Sequence, residues 1–142
     1  MAKLHSAAEL EALRADIVSR RDAGKRCISV CAGAGCDAAN SASVADALRT
    51  EGAKAGVEVK VTGCHGFCEK GPNVLVTPGD LCHFSVRPED AQAIVAGTAQ
   101  GIPMSEVPFY KYQTRLLIGD NPKIDPTRIE DYLALGGYAA LS

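Results

Sequence analysis

Val74-Leu75-Val76-Thr77-Pro78-Gly79-Asp80-Leu81-Cys82-His83-Phe84-Ser85-Val86 is the stretch on which the fold turns. Apolar runs flank Pro78-Gly79-Asp80, where the fixed φ of proline and the permissive glycine favour a tight reversal, so the stretch predicts two antiparallel strands. Upstream, Ile28 and Val30 alternate with Cys27, Ser29 and Cys31 as a short strand ending at Cys31. Val57, Val59 and Val61 alternate as a second, and the helix between them carries Val44 and Leu48 behind a cap at Ser41 or Ser43. A strand, helix, strand unit of this length closes by a right-handed crossover, which makes its two strands parallel.

Helices flank this arrangement. Ser6 followed by Glu9 is a capping-box pattern, and Leu10, Leu13 and Ile17 recur at helical spacing, predicting a first helix from about Ala7 to Asp22 before Gly24. Pro88 suits a first helical turn, Glu89 and Asp90 complement the helix dipole, and Ile94 and Val95 supply an apolar face until Gly97. The order predicts an α/β fold: a thioredoxin-like mixed four-stranded sheet flanked by helices. Farther on, Asp125 is placed to cap a helix beginning at Pro126, with Ile124 and Ile129 as a hydrophobic staple and Gly136-Gly137 at its end. The chain should therefore carry a C-terminal helical extension.

The 142 residues include 15 Lys and Arg against 17 Asp and Glu, a net charge of −2, with 46% hydrophobic residues. That balance gives no electrostatic reason to expect nucleic acid or an anionic membrane as partner. No apolar run is long enough to span a bilayer and the start does not read as a signal peptide, so no transmembrane segment and a cytoplasmic location are expected. In a reducing compartment, six cysteines read as metal ligands, redox centres or buried small residues rather than as a disulfide framework. All six lie between Cys27 and Cys82, whereas five of the seven aromatic residues fall after Pro108, so the chain reads as two unequal parts joined between Gly97 and Pro108.

Four cysteines form two pairs. Cys31 and Cys36 have four residues between them, and after 27 more residues Cys64 and Cys68 have three. Each pair follows a strand of the parallel unit, so both loops leave the same end of the sheet and can converge. Four thiolates suit an iron–sulfur cluster or zinc, and the glycines around them let backbone N–H groups approach the sulfurs. The spacings half fit zinc knuckles and lack the Cys-x-x-Cys step of thioredoxin-type dithiols and of common ferredoxin runs. Two-iron cluster, zinc, and unligated or disulfide cysteines all remain open on spacing alone.

Cys31-Ala32-Gly33-Ala34-Gly35-Cys36, with Thr62-Gly63-Cys64-His65-Gly66-Phe67-Cys68-Glu69-Lys70-Gly71-Pro72, resembles the thioredoxin-like [2Fe-2S] ferredoxin module. Val107-Pro108-Phe109-Tyr110-Lys111-Tyr112-Gln113, and Ile124-Asp125-Pro126 through Tyr132 to Gly136-Gly137-Tyr138-Ala139-Ala140-Leu141, look like the segment leading into the flavin- and NADH-binding domain of the complex I flavoprotein subunit. Together they are similar to the amino-terminal part of the flavoprotein subunit of NAD(P)-linked, electron-bifurcating hydrogenases and related oxidoreductases. The resemblance implies a [2Fe-2S] cluster held by Cys31, Cys36, Cys64 and Cys68 in a ferredoxin domain over residues 1–97. Residues 98–142 would be a linker and helical extension. FMN and NAD(P) would sit only on a partner or a following domain, with other iron–sulfur subunits as further partners. The chain would be a one-electron carrier in a multi-subunit oxidoreductase, either a split subunit, a fragment or an excised module. The competing reading is a zinc-stabilised four-cysteine interaction module without redox role.

Other features read more plainly. Gly33-x-Gly35-x-x-Ala38 imitates a dinucleotide fingerprint but lacks the acidic residue at the end of the second strand, where Thr62-Gly63-Cys64 stands. Cys27 and Cys82 lie in strand patterns as small hydrophobes. His65 reads as an exposed loop histidine, Phe67 as a shield for the site or an anchor for its loop, and the aromatic tail as a docking surface or a packed one.

Overall fold

The computed structural model describes residues 4–22 and 24–141. Two compact units form. One is Gly24–Asp125, and the other joins residues 4–22 to 126–141.

In the larger unit, β1 (Cys27–Cys31) leads through the short α2 (Ala34–Ala38) and α3 (Ser41–Ala55) to β2 (Glu58–Thr62), following α1 (Ala7–Ser19) of the other unit. The hairpin strands are β3 (Val74–Thr77) and β4 (Leu81–His83), then come α4 (Ala91–Ala96), β5 (Ile102–Pro103) and α5 (Pro108–Lys111). The sheet order is β2-β1-β3-β4-β5. β1 and β2 are parallel and the other pairs antiparallel, as the crossover and the Pro78-Gly79-Asp80 reversal require. The four expected strands are present, and Ile102–Pro103 adds a two-residue fifth at the edge, a place where proline costs no ladder bond.

Strand alternation assigns the two faces. Ile28, Val30, Val74 and Val76 meet Val44, Leu48, Ile94 and Val95 of α3 and α4 in one core. Ser29, Leu75, Cys82 and Ile102 are register partners in turn across the sheet and share the opposite face. There Leu75 and Cys82 pack with Val107 and Tyr110, joined by Phe67, Phe84, Met104 and Phe109. Within the larger unit the 104–110 segment supplies the second cover of the sheet.

Three local expectations shift. α3 is preceded not by a serine cap but by Asn40 in the left-handed region (φ 68°), a conformation asparagine tolerates, which lets α3 start directly after α2. The segment from Pro88 begins as a tight turn over Pro88–Asp90 and becomes α-helical only at Ala91, ending before Gly97 at φ 77°. In the smaller unit, α6 covers Ile129–Ala134 rather than starting at Pro126. Glu130 and Asp131 in its first turn favour that start, and Arg21 fixes them, donating to the Glu130 carbonyl at 3.0 Å and to the Asp131 carboxylate at 2.6 Å.

α1 ends at Ser19 rather than Asp22 and keeps its Ser6 cap, with Ser6 Oγ accepting from the Glu9 N–H at 3.2 Å. None of its residues is fully buried. It is held instead by Arg14, which donates to the carbonyls of Leu133 and Gly137 at 3.1 and 2.9 Å, satisfying the end of α6. Among the described residues no helix is long and apolar enough to cross a membrane.

Candidate metal centre

Because β1 and β2 are parallel, Cys31 and Thr62 are register partners at the same sheet end, and the segments after them run side by side. Cys31 and Cys36 are fully buried, Cys64 is half-buried and Cys68 is exposed. The four thiols stand as two pairs. The Cys31 and Cys36 side chains hydrogen-bond to each other, and Cys64 Sγ lies 3.6 Å from Cys68 Sγ. The described residues hold no group of three or more His, Cys, Asp or Glu side chains drawn together as around a single ion.

Two glycines make this approach possible. A Cβ at Gly33 would sit 2.8 Å from Cys64 Cβ, and one at Gly35 would sit 2.8 Å from Cys68 Cβ. No side chain fits at either place, so the backbone of one loop rests directly on the cysteines of the other.

Backbone donors converge on the sulfurs. The N–H groups of Gly33 and His65 donate to Cys31 Sγ, and that of Gly66 donates to Cys64 Sγ at 3.3 Å. Burial nonetheless pushes the Cys31 thiol up to about 12, with Cys36 adding to the rise and those two N–H groups opposing it. The Cys68 thiol is also raised, first by its hydrogen bond with Cys64. Crowded thiols that resist ionising alone, set among donors that favour thiolate, suit a cationic centre that would balance the charge. The donor set is all sulfur, which suits zinc or iron–sulfur chemistry.

Further residues shape the loop. His65 is not exposed, as the sequence suggests, but only 2% accessible. Thr62 Oγ1 lies 3.2 Å from the Val30 carbonyl oxygen and 2.7 Å from His65 Nε2, so the hydroxyl ties the ring to β1. Burial, with Arg115 nearby, lowers the His65 imidazole to about 4. Asn73 Nδ2 donates to the Phe67 carbonyl at 2.7 Å, Asn121 Nδ2 to the Cys64 carbonyl at 3.1 Å, and Arg115 Nη1 to the His65 carbonyl at 3.2 Å. Sequence reasoning missed these three, since each acts on the loop from a different part of the chain and no local pattern marks it.

Phe67 is the loop's anchor, stacked on Phe109 and edge-on to Phe84 and Tyr110. Cys82 is buried in β4, in the cluster against which Phe67 packs, and burial raises its thiol to about 11. Cys27 occupies the first position of β1, at the strand end opposite Cys31.

No family model matches the chain. Among solved structures it is similar to the wild-type thioredoxin-like [2Fe-2S] ferredoxin from Aquifex aeolicus, at 23% identity over 56% of this chain and 93% of that one, with a TM-score of 0.50. Another structure of a thioredoxin-like [2Fe-2S] ferredoxin from that organism gives 26% identity, 51% and 78% coverage and a TM-score of 0.47. A cysteine-to-serine variant gives 24%, 50%, 83% and 0.46. The first likeness, with the mixed sheet and its helices, establishes a thioredoxin-like fold for this part of the chain.

Proposed function

We propose that the chain is a one-electron carrier that holds a [2Fe-2S] cluster through Cys31, Cys36, Cys64 and Cys68. The observation that carries this reading is the pairing of thiols on two interleaved loops, with Gly33 and Gly35 seated against Cys64 and Cys68 and three N–H groups aimed at sulfur. Two pairs match a binuclear centre, in which each iron takes two thiolates, better than a single zinc ion, which gathers all four at one point. When bound, such a cluster accepts and releases one electron.

The chain's own residues do the rest. Cys31 and Cys36, both buried, keep one side of the site from water, while Cys68 is the exposed edge and so the side that a redox partner reaches. Gly33, His65 and Gly66 donate N–H bonds that stabilise negative charge on sulfur.

The partner we propose is a flavin- and NADH-binding domain or subunit of a multi-subunit oxidoreductase such as a bifurcating hydrogenase, with the segment from residue 98 onward on its side. Tyr112, Leu116 and Leu117 are 81%, 88% and 94% exposed in that segment, apolar surface of the kind that protein partners cover. The setting is the cytoplasm, where thiols stay available to iron.

Anaerobic purification followed by iron, sulfide and zinc determination tests the cluster. Iron and sulfide near two each per chain, with an electron-spin signal appearing only on reduction, is the expected result; stoichiometric zinc without sulfide would replace the reading with a four-cysteine zinc interaction module.

A further inference from the structure

We infer that Arg115 is a positioning residue for the sulfur site, acting through the single peptide unit that joins His65 to Gly66. The inference rests on the reading of the four cysteines as cluster ligands. A peptide unit is planar, so its carbonyl and its N–H cannot turn independently. Here the carbonyl oxygen is that of His65 and accepts from Arg115 Nη1 at 3.2 Å, while the N–H is that of Gly66 and donates to Cys64 Sγ at 3.3 Å. Fixing one end of the plane aims the other.

Arg115 is itself held in place. Its Nη2 lies 3.3 Å from Met104 Sδ, and its Cζ stands 4.5 Å from the centre of the Tyr110 ring, which is buried in the core of the sheet face. The planar guanidinium thus bonds a carbonyl and a sulfur while stacking on an aromatic ring, a combination that a lysine ammonium cannot reproduce. A cation on the carbonyl also polarises the peptide and strengthens its N–H as a donor, because hydrogen bonds in series reinforce one another at low local dielectric. Both effects favour negative charge on Cys64 Sγ. Since reduction adds negative charge to the cluster, Arg115 raises the reduction potential.

The test compares the parent with Arg115→Met, which keeps stem length and removes charge, and Arg115→Lys, which keeps charge and loses the fork. Electrochemical titration of the cluster-loaded proteins should give the most negative potential for Arg115→Met, with Arg115→Lys between it and the parent. In metal-free protein, hydrogen exchange at the Gly66 amide should be about tenfold faster in Arg115→Met, as expected for weakening one charge-assisted hydrogen bond, with the Gly33 amide unchanged. Equal potentials in the three loaded proteins would overturn the inference, as would equal acceleration at Gly66 and Gly33, which signals general loosening. If the parent binds no iron and sulfide, the proposed function fails, and Gly66 exchange alone decides whether Arg115 orients the peptide.

Discussion

Phe67 and Phe109 stack face to face, their ring centroids 4.1 Å apart and their planes within 4° of parallel. Phe67 belongs to the loop that carries Cys64 and Cys68, and Phe109 to α5, so the stack fastens the cysteine loop to the second cover of the sheet. Phe67→Ala should lower stability by about 3 kcal/mol, from lost burial together with the lost ring pair. It should also shorten the lifetime of the bound cluster in air. Chemical denaturation and the decay of visible absorbance measure the two effects, and a variant as stable as the parent would remove Phe67 as the anchor.

The interleaving of the loops makes a second prediction that leaves all four sulfurs in place. With 2.8 Å between the new Cβ and a cysteine Cβ, Gly33→Ala or Gly35→Ala must push the loops apart. Overpacking of this kind costs about 1–3 kcal/mol, and the strain falls directly on Cys64 or Cys68. Iron content per chain should drop in both variants. Ala34→Gly, in the same segment but without that clash, should keep it.

Much of this architecture is legible in the sequence because the signals are local. The alternation of Ile28 and Val30, the valines of β2, and the Pro78-Gly79-Asp80 reversal each specify their own piece of backbone, and chain order with crossover handedness places the two cysteine pairs at one sheet end. What is not legible depends on distant or very short features. α2 has five residues, too few to show a helical period, and Asn40 displaced the expected serine caps through a left-handed backbone that only the α2–α3 junction demands. His65 reads as a surface residue until Thr62 and Arg115, the latter 50 residues away, are seen around it.

The six cysteines separate by environment. Cys31→Ser, Cys36→Ser, Cys64→Ser and Cys68→Ser should each abolish or alter the cluster's visible absorbance. Cys27→Ser and Cys82→Ser should retain it, because Cys82 lies in the β4 core and Cys27 at the far end of β1. Cys82→Ser should still cost about 2 kcal/mol, since a hydroxyl replaces a thiol at a site 4% exposed. Lost absorbance in Cys82→Ser with full retention in Cys68→Ser would overturn the ligand assignment.

Burial of His65 sets a pH dependence. The folded state holds its imidazole neutral down to about 4, chiefly because burial disfavours the charged ring, whereas the unfolded chain protonates it near the usual 6.5. The unfolded state therefore binds more protons between these values, and stability present above about 6.5 is lost as pH falls toward 4, on the order of 3 kcal/mol in all. His83, also lowered by burial, acts in the same direction. Denaturation of metal-free protein across this range should show the slope, and His65→Gln should flatten it. An equal slope in the variant would assign the effect to other groups.

Electron entry gives the last prediction. On the proposed reading the electrons come from NADH, which delivers a hydride, two electrons at once, whereas a two-iron cluster takes one, so a flavin would stand between them. The strand-to-helix turn around Gly33 and Gly35, which resembles a dinucleotide turn, is filled by Cys64 and Cys68. A pyrophosphate has no room there. Under anaerobic conditions NADH alone should leave the cluster oxidised, and dithionite should bleach it. Adding a flavoprotein that oxidises NADH should then allow reduction, and Leu116→Asp with Leu117→Asp should slow that step while leaving dithionite reduction unchanged, since both leucines are among the most exposed apolar side chains. Stoichiometric reduction by NADH without a flavoprotein would show that the chain itself carries a nucleotide site, and would end the assignment of hydride chemistry to a partner.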